Sequence, residues 1–263
     1  MPGSLKGYLS WIGRGIASVV IVALVAGGCE GDGNAVPAVS DERTPVAEAD
    51  LADAWTRGDV TSFALVATTG PHRVSDHALE KLREVMTDQA GLDVNVVAGQ
   101  DTGLAAQGVL DAKEVSEAGW AQIPAGNEPA AVLVVVQNTD HGKATFGFIR
   151  YRRGGQRTTA VIVLHRGPMS KFAVGPISRE TIEATVLVHE VGHWLGVPAR
   201  DHHRSAASTS HCTHARCVMF KGIKQNPVGA VLANLRTGIP LRFCPDCAEE
   251  LAEMRRRRQA QRP

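Results

Sequence analysis

The residues of this chain best suited to chemistry are two histidines four positions apart with a glutamate directly after the first: His189-Glu190-Val191-Gly192-His193. On a helix, positions i and i+4 lie on one face a turn apart, so both imidazoles can reach one metal ion. The carboxylate of Glu190 then stands beside that ion. There it can take a proton from an activated water as the water attacks a carbonyl. Two imidazoles leave a catalytic zinc one protein ligand short, because such sites use three and keep the fourth position for water. His202, His203, His211 and His214 follow as possible third donors, and spacing alone does not choose among them. His72, His77, His141 and His165 are scattered among loops and strand ends and read as surface or hydrogen-bonded residues.

Sulfur forms the second constellation. Cys212 and Cys217 enclose four residues, and Cys244 and Cys247 form a CxxC pair. Two close pairs of this kind staple distant segments around a structural zinc held by four thiolates. In an oxidising compartment the same four residues could instead form two disulfides.

Together these motifs resemble the archaemetzincin signature, an HExxHxxGxxH run whose last His is followed at once by Cys, four residues, Cys, any residue and Met, with a later CxxC. The matching residues are His189, Glu190, His193 and Gly196, then His211-Cys212-Thr213-His214-Ala215-Arg216-Cys217-Val218-Met219, then Cys244-Pro245-Asp246-Cys247. The resemblance covers Val186 to Cys247. It implies a zinc metallopeptidase with His189, His193 and His211 on the catalytic zinc and Glu190 as general base. It also implies a second, structural zinc on Cys212, Cys217, Cys244 and Cys247, Met219 in a tight turn below the catalytic ion, and a peptide or protein substrate. The implied fold is an α/β (α+β) metzincin-like mixed five-stranded sheet over an active-site helix, with a smaller Cys-stapled C-terminal subdomain. Such a sheet offers its edge strand to an extended peptide. Two departures stand out. Ala199 occupies the place of the family's third His, and Val197 to Ser210 is interposed before His211. The family is also mostly intracellular, whereas this chain reads as exported.

The elements that must position these residues are legible in outline. Thr61 to Thr68 is a short apolar run ending at Gly70-Pro71 and predicts a buried strand. Ser75 and Asp76 precede Leu79, Leu82, Val85 and Met86 at helical spacing, with Gly91 behind. Leu92 to Ala98 is a second strand, so strand, helix and strand suggest a βαβ unit. A short helix is expected around Asp111 to Ala118. Ala130 to Val136 and Thr159 to Leu164 are unbroken apolar runs, as central strands require. Thr145 to Tyr151 alternates and is the expected edge strand, followed by a polar Gly-Gly turn. Ser178 is placed to cap the helix that carries the histidines, and Gly196 to end it.

The ends of the chain are of a different kind. Lys6 and Arg14 precede an apolar run, Ile16 to Ala26, with the length of a signal segment. It closes on Ala26-Gly27-Gly28-Cys29, which resembles a bacterial lipobox and implies lipidation of Cys29 and a membrane-anchored, exported lipoprotein. The expected organisation is a signal segment over 1–29, a flexible polar linker over 30–50, a metallopeptidase domain over 51–255 and a basic tail over 256–263. Arg255 to Arg258 also suit the last turn of a helix. With 44% hydrophobic and 21% charged residues the chain is globular, and a net charge of +1 gives no field for nucleic acid. The rival to a peptidase is an exported zinc-binding lipoprotein with a structural metal and no turnover. Glu190, which a purely structural site does not need, argues against that rival.

Overall fold

The computed structural model describes residues 62–68, 72–99, 112–123, 130–137, 146–154, 157–173, 177–206, 208–220 and 241–260. The expected signal segment with Cys29, the expected linker and His141 lie outside the described residues. The chain enters the sheet with strand β1 (Ser62–Thr68), helix α1 (Asp76–Val85) and strand β2 (Asp93–Gly99). Ser75 caps α1 by accepting from the Ala78 N–H at 3.3 Å. A π-helical turn over Met86–Ala90 prolongs α1, and Gly91 ends it in the left-handed region at φ 60°. Helix α2 (Ala112–Trp120) then leads to β3 (Ala130–Gln137), β4 (Gly147–Gly154) and β5 (Arg157–His165).

The five strands form one mixed sheet in the order β2-β1-β3-β5-β4. All neighbours are parallel except β4, which runs antiparallel to β5 and forms an edge. Side chains alternate across the two faces, so the unbroken apolar runs of β3 and β5 imply cover on both. One face of β3 and β5 presents Val132, Val134, Ile162 and Leu164 to the large core shared with α1 and the histidine helix. The other presents Leu133, Val135, Val161 and Val163 to a smaller cluster with Ala118 and Trp120 of α2. The result is the expected mixed five-stranded sheet, with helices on both of its faces.

Two helices follow β5: α3 (Arg166–Phe172) and α4 (Arg179–Leu195). The sequence does not announce α3, because Gly167-Pro168 reads as a turn; in the first helical turn, however, proline's missing N–H costs nothing. Ser178 caps α4 through the Thr181 N–H at 3.1 Å, and Gly196 closes it with φ 81°. A buried ion pair fixes its entry. Arg166 bonds Glu183 through Nε at 2.9 Å and Nη2 at 3.2 Å, and also donates to the Arg73 carbonyl. Glu183 accepts from the Ser75 N–H at 2.6 Å as well. Further along, Trp194 packs edge-on to Phe63 at 5.2 Å, binding the end of α4 to the sheet.

Beyond α4 the interposed segment forms a 3₁₀ turn (Asp201–His203) and a small hairpin of β6 (Arg204–Ser205) and β7 (Ser208–Cys212). The last helix is α5 (Pro245–Ala260), which runs through Arg255 to Arg258 and past the boundary placed after residue 255. The segment before α5 is clipped to α1 and the π turn. Arg242 pairs with Glu84 at 3.0 Å and Asp88 at 3.2 Å, and Gln89 bonds both backbone groups of Phe243. No helix among the described residues is long and apolar enough to cross a membrane.

Candidate metal centres

Helix α4 carries His189, Glu190 and His193 at the spacing that puts the two rings one turn apart. The Nδ1 of His189 lies 2.7 Å from the Val218 carbonyl oxygen. A carbonyl only accepts, so Nδ1 carries the proton and Nε2 presents its lone pair. That lone pair faces the Nε2 of His193 at 3.0 Å. A tetrahedral ion with metal–nitrogen bonds of about 2.0–2.1 Å separates two donor nitrogens by roughly 3.3 Å, so the pair is spaced for one ion.

His211 arrives from β7. Its ring centroid is 5.2 Å from that of His189 and 4.8 Å from that of His193. The three rings offer nitrogens that all lie within 4.8 Å of one another. His189 and His211 are buried, His193 is half-buried, and Glu190 is fully buried. Of the possible third donors, the fold thus brings His211 to the pair. Gly196 turns the chain out of the helix, and the hairpin brings it back. His202 stays exposed, 3.8 Å from Asp246, and His214 is exposed at 2.7 Å from the same carboxylate.

Met219 is buried beneath α4. A Cβ added at Gly192 would overlap the Met219 sulfur and stand 3.0 Å from Phe243 Cε1. The helix backbone and the Met219 turn therefore touch only because position 192 has no side chain. The turn is tied to β7 by the Cys212 N–H, which donates to the Met219 carbonyl at 2.8 Å.

Next to this centre the four cysteines meet as buried thiols. Cys212 and Cys244 have sulfurs 3.7 Å apart, as do Cys217 and Cys247. Bonds of about 2.3 Å to a tetrahedral zinc put sulfurs roughly 3.8 Å apart, so both pairs fit edges of such a site. Backbone amides also point at the sulfurs: His214 N–H at Cys212, and Met219 and Cys244 N–H at Cys217. Hydrogen bonds from Cys217 above all, and from Cys247 and His203, pull the Cys212 thiol down to about 6. Cys244 is lowered too, chiefly by Cys212.

The sequence reading missed a fifth donor. His203 reaches the thiols with Nδ1, 3.5 Å from Cys212 Sγ and 3.8 Å from Cys247 Sγ. Its Nε2 lies 3.0 Å from Glu250, and both residues are buried. Burial opposes a charge on this ring, but bonds to Cys212 and Glu250 outweigh it and raise its pKa. A sequence signal existed on α5, where Glu250 follows Cys247 by three residues and shares its helix face. Nothing in the chain order singles out His203 from His202.

No family model matches the sequence, and no curated protein matches it. Among solved structures the chain is similar to the crystal structure of archaemetzincin from Methanopyrus kandleri, with 17% identity, a TM-score of 0.49, and coverage of 76% of this chain and 98% of that one.

Proposed function

We propose that the chain is a zinc-dependent peptidase with His189, His193 and His211 as the ligands of the catalytic ion. The carrying observation is the convergence of three ring nitrogens within 4.8 Å, with the His189 lone pair turned inward by the Val218 carbonyl. Neutral imidazoles of this kind are zinc ligands, and three of them leave one position of a tetrahedron open. An ion seated there supplies Lewis acidity to a peptide carbonyl and to water. Glu190, next to the first ligand and held in a buried position, takes the proton of the attacking water and hands it to the leaving amine. Strand β4 offers an edge on which an extended substrate can pair through its backbone. The thiol cluster is proposed to hold a second, structural zinc.

The test is Glu190→Ala in the full chain, assayed with casein and a mixed peptide library. Loss of general-base help lowers the rate by about 10²–10⁴-fold, while bound zinc measured by mass spectrometry stays at the unsubstituted level. Full activity in the purified variant removes Glu190 from the mechanism. No turnover by the unsubstituted, zinc-loaded protein favours the rival, a metal-binding lipoprotein.

Export and lipid anchoring at Cys29 are proposed from the sequence. Cys29→Ala is expected to move the protein from the membrane pellet to the soluble fraction. An unchanged distribution, together with no incorporation of labelled fatty acid by the unsubstituted chain, removes the lipid.

A further inference from the structure

We infer that His203 is a ligand of the second metal, through Nδ1, so that this site is a Cys₃His centre of His203, Cys212, Cys244 and Cys247. The inference rests on the reading of the thiol cluster as a metal site and goes beyond it in the ligand set.

The argument starts at Glu250. Its carboxylate accepts from the Ala199 N–H at 2.9 Å and the Arg200 N–H at 2.6 Å, and it faces His203 Nε2 at 3.0 Å. Two backbone donors fix it as an acceptor, so the His203 bond must be Nε2–H to carboxylate. In the neutral ring, Nδ1 then presents a lone pair. That lone pair is aimed at Cys212 and Cys247. A single proton between Nδ1 and sulfur can serve only one of the two sulfurs at a time, whereas a metal ion in the same space binds the nitrogen and both sulfurs together.

Spacing agrees. A mixed tetrahedral site with bonds of about 2.0–2.1 Å to nitrogen and 2.3 Å to sulfur has nitrogen–sulfur edges of roughly 3.6 Å. The observed edges are 3.5 and 3.8 Å. His203 Nδ1 and the sulfurs of Cys212, Cys244 and Cys247 all lie within 4.8 Å of one another. Cys217 is not a member of this group of four; its sulfur accepts from the Met219 and Cys244 amides at 3.4 and 3.3 Å beside the site. A carboxylate that orients a metal-bound imidazole through its other nitrogen is a common arrangement, and Glu250 fills that place. The segment interposed between α4 and β7 thus delivers a ligand as well as spanning the gap.

The experiment is NMR on the full, unsubstituted chain loaded with NMR-active cadmium and labelled with nitrogen-15. The expected result is a cadmium resonance in the thiolate range that shows one-bond coupling to a histidine Nδ1, and that loses this coupling in His203→Gln. A thiolate-range resonance at the shift of a four-sulfur site, without nitrogen coupling, overturns the ligand set while leaving the second metal in place. No thiolate-bound cadmium at all overturns the metal cluster itself, and the inference with it; the catalytic centre, a separate all-nitrogen resonance, is judged independently. Glu250→Gln keeps an acceptor for the ring and is the gentler variant. It is expected to weaken cadmium binding at the thiol site by about 10–100-fold. Unchanged affinity argues against a metal-bound His203.

Discussion

At the scale of single residues, the site depends on buried groups being held by partners that leave them no choice. The Val218 carbonyl settles which nitrogen of His189 is free. The Arg166–Glu183 pair ties the first turns of α4 to α3, and Glu183 also accepts from the Ser75 N–H ahead of α1. With the Glu183 side chain fully buried, Glu183→Ala strands the Arg166 guanidinium without its counter-charge. We expect a loss of about 3–5 kcal/mol, read from the midpoint and slope of urea unfolding. The double variant Arg166→Leu, Glu183→Leu is expected to regain much of that loss, because it removes both buried charges. A single variant as stable as the parent would mean that water reaches the pair.

At the scale of elements, α4 works by close approach. Gly192 lets the Met219 turn press against the helix one residue before His193. Gly192→Ala inserts a methyl into a space already filled by the Met219 sulfur and the Phe243 ring. The expected cost is about 1–3 kcal/mol, as for overpacked cores, with weaker zinc binding because the displaced turn carries Val218. Chelator competition against the parent checks the second effect, and equal affinity would show that the turn does not position His189. Much of this level was legible. The unbroken runs of β3 and β5 and the Ser178 and Gly196 boundaries of α4 follow from periodicity and cap chemistry, whereas β4 runs on through Arg152 and Arg153 to Gly154, where the sequence reads a turn, because those residues pair with β5. Helix α3 was hidden by Gly167-Pro168, which local rules read as a turn. The β6–β7 hairpin was hidden because strands this short owe their existence to what they pack on.

At the scale of the whole molecule, the two donor clusters share one piece of chain. His211 and Cys212 are consecutive, and Val218 and Met219 directly follow Cys217. The Cys212 amide bonds the Met219 carbonyl, closing the segment on itself. Releasing the thiols therefore frees both a ligand of the first centre and the carbonyl that orients another. A mercurial that strips the thiol site is expected to weaken zinc at the histidine site by about 5–150-fold, the usual range of coupling between sites. Chelator titration before and after treatment measures it. Identical affinities would make the centres independent.

The sequence alone determined the chemistry on offer: two imidazoles and a carboxylate at helical spacing, two cysteine pairs, and a run of short apolar segments of strand length. These are local properties, set by periodicity and by side-chain type. The tertiary structure decided which of the later histidines meets the first pair and which turns to the thiols. His202 and His203 are adjacent and chemically identical, yet one lies in solvent and the other is buried against sulfur. That difference arises from Glu250, 47 residues further on, brought beside His203 by the packing of α5, and no local pattern of residues encodes it.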